Sequence, residues 1–204
     1  MYPKRAEQQS KDFTNDEMRP LVDMMRLNKI TLDQLDDYLH ARHVVTDKLN
    51  ARLKAMNPDL QKNDALSGMT DAEAKAILAK SPPVLARLAT HIDDMVNTTR
   101  KLMVDYGLEK QSTIDLWKKE YQAYVPLRRE GFDEQGNPTG TGRSVRGSTV
   151  KQRGGSNLAV ENILANIAQA RDQVIVRGEK MRPVIATAGL LMLCLLYTSD
   201  AADE

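Results

Sequence analysis

Asp36, His40, His43 and Asp47 follow one another at steps of four, three and four residues. On a helix such steps bring side chains to one face, and imidazoles with carboxylates are the donors that zinc accepts. The set lacks the Glu that would follow His40 in an HExxH arrangement, and one helix rarely supplies a closed ligand set without a partner. The same spacing equally describes a polar helix face with His and Asp in local hydrogen bonds. Both readings stay open on the sequence.

A second chemical stretch runs from Tyr121 to Gly155. It opens on YVPLRR, with Tyr124 and Pro126 beside Arg128 and Arg129, and continues through Gly136, Gly140, Gly142, Gly147, Gly154 and Gly155. Arg143, Arg146, Lys151 and Arg153 are interspersed, and no acidic residue falls between 137 and 155. Glycines let backbone N–H groups approach a phosphate, so phosphate or nucleic-acid contact is one reading. A solvated loop and an intramolecular clamp onto acidic helix faces are the others. The glycine spacing fits neither GxGxxG nor a Walker loop, and no strand pattern precedes it.

Nucleophilic chemistry finds no candidate. Ser144 and Ser148 have no sequence cue pairing them with His40, His43 or His91, and adjacent carboxylates such as Asp93 and Asp94 point apart on a helix. His91, next to Ile92, reads as a boundary residue rather than a base. Trp117, Tyr121 and Tyr124 could stack on bases, but their helical spacing makes them core first. The expectation is a non-catalytic protein, with no cofactor implied.

The elements that position these residues are helices. Ten methionines against 4% aromatic residues suit helices packed through aliphatic side chains better than a sandwich or barrel. With 29 basic and 28 acidic residues the net charge is +1, so any attraction to nucleic acid must be local. The single Cys194 excludes an internal disulfide and a cysteine zinc motif. The amino end, MYPKRAEQQSKD, lacks the apolar centre of a signal peptide.

Capping-box spacing occurs at Thr14/Glu17, Thr31/Gln34 and Thr70/Glu73, predicting three helix starts. The first helix carries Leu21, Met24, Met25 and Leu27 and ends at Asn28 as a left-handed cap. The second runs unbroken from Thr31 to Met56 and stops at Asn57-Pro58. The third runs from Thr70 to about Lys80, and Pro82 opens the next, which ends at Gly107 with Leu108 in a Schellman contact. Ser112 caps a helix bearing Ile114, Trp117, Tyr121 and Tyr124. Ser156 or Asn157 starts a last helix carrying Val160, Ile163, Leu164, Ile167, Val174 and Ile175. The predicted fold is all-α, an irregular multi-helix array with a basic Gly-rich loop before the last helix. Its segments are a polar 1–13, a helical array 14–125, a connector 126–155 and a C-terminal helix 156–193.

Residues 194–204, CLLYTSDAADE, resemble the translation of a transposase sequencing adapter, so they are set aside and the natural chain is expected to be cut near Leu193. The apolar run 184–197 is shorter than the ~20 residues that span a bilayer, and no membrane partner is expected.

Several segments together resemble the helical associated domains of giant phage and mobile-element polyvalent proteins. They are LDDYLHARH (35–43), SGMTDAEA (67–74), YGL (106–108), YVPLRR (124–129), GRSVRGS (142–148) and NILANIAQARDQVIVRGEK (162–180). YVPLRR is similar to the Pro-Leu-x-Arg-Phe-Gly motif of such proteins. Pro126, Leu127 and Arg129 match it, preceded by Tyr124, and Glu130 stands where the motif has phenylalanine. The resemblance implies a non-catalytic module inside a very long polypeptide, partnered by that chain's other domains. It further implies packaging in the virion and entry into the host cytoplasm with the phage DNA.

Overall fold

A computed structural model describes residues 2–56, 59, 62, 64–127 and 162–200, the side chains of residue 2 and of 188–200 excepted. Its regular elements are all helices, with no strand among the described residues. The all-α array expected from the periodicity is therefore the observed architecture.

The first rod joins α1 (Tyr2–Asp12), a π-helical segment (Phe13–Met18) and α2 (Arg19–Leu27). Asp12 and Met18 are both right-handed helical, so the helix start expected at Thr14 is not there. Thr14 Oγ1 instead donates to the Ser10 carbonyl one turn back, and Glu17 is drawn across to Arg171. The wide turn has a packing consequence. In a pure α-helix Phe13 and Leu21 would lie about 80° apart, and one extra residue in a π turn brings them to about 20°. Both are buried, at 5% and 0% exposure.

The rod ends in a Schellman turn, with Ile30 N–H donating to Met25 O at 2.9 Å. The left-handed residue there is Lys29, at φ 54°, and not the expected Asn28, which lies at φ −98° with its side-chain amide on Met24 O. Leu27, expected on the buried face, is exposed.

Thr31 and Gln34 form the full capping box that opens α3 (Leu32–Thr46), and Thr70 and Glu73 do the same for α5 (Asp71–Lys80). The expected single helix from 31 to 56 is broken. Lys48 adopts φ 51°, and a separate α4 (Leu49–Met56) leaves the joint in a new direction. The break occurs because Asp47 is held by groups from elsewhere in the fold, as described below. Leu32 and Met56, apolar residues at the two ends of that span, are exposed.

Helix α6 (Pro83–Asp105) starts behind Pro82 and ends at Gly107, whose φ of 65° and Leu108 N–H to Met103 O bond complete the expected Schellman cap. α7 (Gln111–Glu120) is preceded by Lys110, so Ser112 sits inside the helix and not at its cap. Tyr121 closes α7, and Tyr124 lies beyond it in a non-helical strap, 121–127. α8 (Ile163–Asp200) begins with Asn162 Oδ1 accepting from Ala165 N–H at 2.8 Å. The start expected at Ser156 or Asn157 lies outside the described residues.

The core lies where α3, α6 and α8 meet. Leu35, Leu39, Leu88, Ile92, Ile163 and Ile167 are each at most 1% exposed, and each such burial contributes roughly 1.5–3 kcal/mol. α5 closes over α3, and α1 over α8. The C-terminal helix is thus an integral part of the array. Among the described residues no helix is long and apolar enough to cross a membrane.

Candidate functional site

The four residues weighed as metal donors all stand on or just after α3, and they do not converge. His43 Nδ1 donates to Asp47 Oδ2 at 2.6 Å, and both residues are 3% exposed. His40 Nε2 is 3.0 Å from the Ser67 carbonyl. Asp36 Oδ2 accepts from Ile163 N–H at 3.3 Å, at the start of α8. Asp36 and Asp47 are eleven residues apart, roughly 16 Å along a helix at 1.5 Å per residue, which is too far for one ion. Among the described residues no group of three or more His, Cys, Asp or Glu side chains could hold a metal. The four side chains make three separate structural contacts, His43–Asp47, His40–Ser67 and Asp36–Ile163.

Asp47 is the pivot of this region. Its Oδ1 accepts from Gln122 N–H at 2.7 Å, and both its oxygens lie 3.2–3.3 Å from Ala123 N–H. Burial alone would push its carboxyl up. The His43 bond and the two backbone N–H groups outweigh that and hold it below the ordinary carboxylate range. An ionised Asp47 requires the proton on His43 Nδ1. The arrangement fastens the strap after α7 to the joint between α3 and α4.

Aromatic rings surround the pair. Tyr121 and Tyr124 lie 6.4 and 5.8 Å from the His43 ring, the latter edge-on. The Arg52 guanidinium stands 4.8 Å over Tyr121, and Arg100 5.3 Å over Tyr124. Beyond Tyr124, Val125 and Leu127 enter the core, and Pro126 is half-buried between them. The motif residues Tyr124, Pro126 and Leu127 therefore anchor the strap. Arg128, Arg129, Arg143, Arg146, Lys151 and Arg153 lie outside the described residues.

Asp36 behaves in the opposite way to Asp47. Burial, with Asp33 and Asp37 nearby, pushes its carboxyl up to about 6 against the backbone bonds from Ile163 and Leu164. Its Oδ1 is buried without a hydrogen-bond partner.

Two polar clusters had no counterpart in the sequence reading. Arg171, 3% exposed on α8, donates to Glu17 at 2.7 Å and to Met95 O at 3.0 Å, while its guanidinium lies 4.6 Å from the Phe13 ring. Glu179, fully buried, receives Arg5 at 2.6 Å, Gln9 at 2.9 Å and the Tyr106 hydroxyl at 3.1 Å. Burial would raise its carboxyl, but these donors hold it low. The signal was present in the spacing: Arg171 follows Ile167 by four residues and Glu179 follows Ile175 by four, so both sit in the apolar phase of α8. Charges in that phase must find partners inside.

No family model, no curated protein and no solved structure matches the chain.

Proposed function

We propose that the chain is a non-catalytic structural and interaction module belonging to a large phage or mobile-element polyvalent protein that enters the host with phage DNA. The observation that supports it best is the fastening of the strap 121–127. Buried His43 and Asp47 are committed to holding the chain as it leaves α7 toward the basic connector, while buried His40 is bonded to the Ser67 carbonyl. Such an arrangement suits a module that sets the direction of a connector between domains. The wording of the segments quoted above supplies the polyvalent-protein assignment. Sequencing the source DNA with long reads across the codon for Leu193 tests it. The reading expects a frame that continues at length among phage genes, and a natural stop close behind that codon overturns it.

A second reading, nucleic-acid binding by the connector, rests on the four basic and no acidic residues between 137 and 155. It expects binding to duplex DNA that weakens steeply with salt and falls on replacing Arg143 and Arg146 by alanine. Undetectable binding at low salt removes it.

A further inference from the structure

We propose that the end of the bundle where α7 meets α4 binds the phosphodiester backbone of single-stranded nucleic acid through Lys48, Lys118 and Lys119, at the same end as the Arg52–Tyr121 pair. This surface belongs to the folded helices and does not depend on residues 128–153.

Two tertiary contacts bring the pieces together. Arg52 of α4 pairs with Glu120 at the end of α7 at 2.7 Å, and Asp47 accepts from Gln122 N–H just beyond it. Lys48 is thereby set on the exposed joint beside Asp47, and Lys118 and Lys119 occupy the last turn of α7, both exposed. Two nearby carboxylates are already paired: Glu120 is taken by Arg52 and Asp47 is buried with His43. Asp115, which accepts from Gln111 at 2.7 Å, is the one exposed carboxylate of the same face of α7 and leaves a net positive charge beside the three lysines. Among the described residues none of the three lysines has an ion-pair partner. Three unpaired ammonium groups therefore stand at one end of a protein whose net charge is only +1.

Lysines in the last turn of a helix are favoured by the helix dipole alone, which would explain Lys118 and Lys119 without a ligand. Lys48 is outside that explanation, because it stands between the C-terminus of α3 and the N-terminus of α4, where the two dipoles oppose one another. The Tyr121 ring also distinguishes the kind of polyanion. It is half-buried and carries the Arg52 guanidinium 4.8 Å from its centre, giving a planar π-cation pair beside the lysines. Stacking on such a pair is open to an unpaired base, whereas a lipid headgroup uses only the charge.

The test is fluorescence anisotropy of a labelled oligothymidylate titrated with the full chain across a salt series. Binding through the three lysines predicts a slope of log K against log salt of about −2, at roughly 0.7 per phosphate contact. The Lys48→Ala/Lys118→Ala/Lys119→Ala variant should retain its helical circular dichroism, lose at least about tenfold in affinity at low salt and flatten the slope by about two. Lys75→Ala/Lys80→Ala, on α5, should bind as the wild type does. No binding by the wild type at low salt overturns the proposal, as does equal binding by the triple variant. Binding that survives the triple variant and falls with Arg143→Ala/Arg146→Ala also overturns it, by moving the contact to the connector. Equal competition by phosphatidylserine vesicles, at matched surface charge, overturns the assignment to nucleic acid.

Discussion

Gly178→Ala should destabilise this protein, although it sits inside a helix where alanine is ordinarily better by about 1 kcal/mol. The reason is the Tyr106 ring. A Cβ on Gly178 would lie 2.1 Å from the ring's Cγ and Cδ2 and 2.6 Å from Cδ1. These atoms are at the root of the ring, next to its own Cβ, and cannot swing away as a side-chain tip could. The far end is tied as well, with the hydroxyl on Gln9 at 2.7 Å and Glu179 at 3.1 Å. Reaching an ordinary contact near 3.4 Å requires α8 and the end of α6 to separate by more than 1 Å. Overpacking of this kind costs about 1–3 kcal/mol, and each hydroxyl bond lost adds about 1 kcal/mol. Set against the propensity gain, the net loss is about 2–3 kcal/mol. Urea unfolding followed by circular dichroism measures it, and a double-mutant cycle isolates the cause. In a Tyr106→Ala background, Gly178→Ala should be neutral or stabilising by up to about 1 kcal/mol, giving a coupling of about 3 kcal/mol. If Gly178→Ala in the Tyr106 protein is as stable as wild type, helix α8 does not pack on that ring and the reasoning fails.

The two carboxylates at the ends of α3 should respond to pH with opposite signs. Asp47 is held below the ordinary range, so its contribution is present at neutral pH and lost as pH falls through its folded value. Asp47→Ala leaves His43 and two backbone N–H groups unanswered and should cost about 3 kcal/mol at pH 7, with Asp47→Asn costing less and flattening the acid limb of a Tm-versus-pH curve. Asp36 is raised from 3.8 to about 6, so the folded state favours its protonated form and stability declines as pH rises through that window. Asp36→Asn should therefore be more stable than wild type at pH 8, by about 1 kcal/mol after allowing for its partial exposure, and should show no advantage at pH 4. Thermal melts of Thr31→Ala and Thr70→Ala should each show a loss of about 1 kcal/mol, since each removes a capping oxygen from a helix start. An Asp36→Asn protein with an unchanged pH profile, or cap variants as stable as wild type, would contradict these assignments.

Local chemistry determined much of the architecture. Thr31/Gln34 and Thr70/Glu73 open helices as their spacing predicts, and Gly107 closes one, because a capping box or a left-handed glycine acts within a turn or two of chain. Period-3.6 apolar positions such as Leu35, Leu39, Leu88 and Ile92 identified the faces that meet. Where the local signal misled, a distant group had intervened. Thr14 and Glu17 have capping-box spacing, yet Arg171 claims Glu17 and the rod passes through in a π turn. The helix from 31 to 56 has no proline or glycine to break it, and breaks at Lys48 because Asp47 is bonded to the strap some 75 residues later in the chain.

The candidate site divides along the same line. Four donors on one helix face were visible as a pattern, but their separation into His43–Asp47, His40–Ser67 and Asp36–Ile163 was decided by which backbone groups α7, α5's approach and α8 present to them. Spacing along a chain fixes what a residue can reach within a few turns. Which N–H groups, rings and ammonium ions come to surround Asp47 and Tyr121 is a property of packing, set by the burial of apolar faces far from those residues, and so only the tertiary structure could bring Lys48, Lys118 and Lys119 to one end of the bundle.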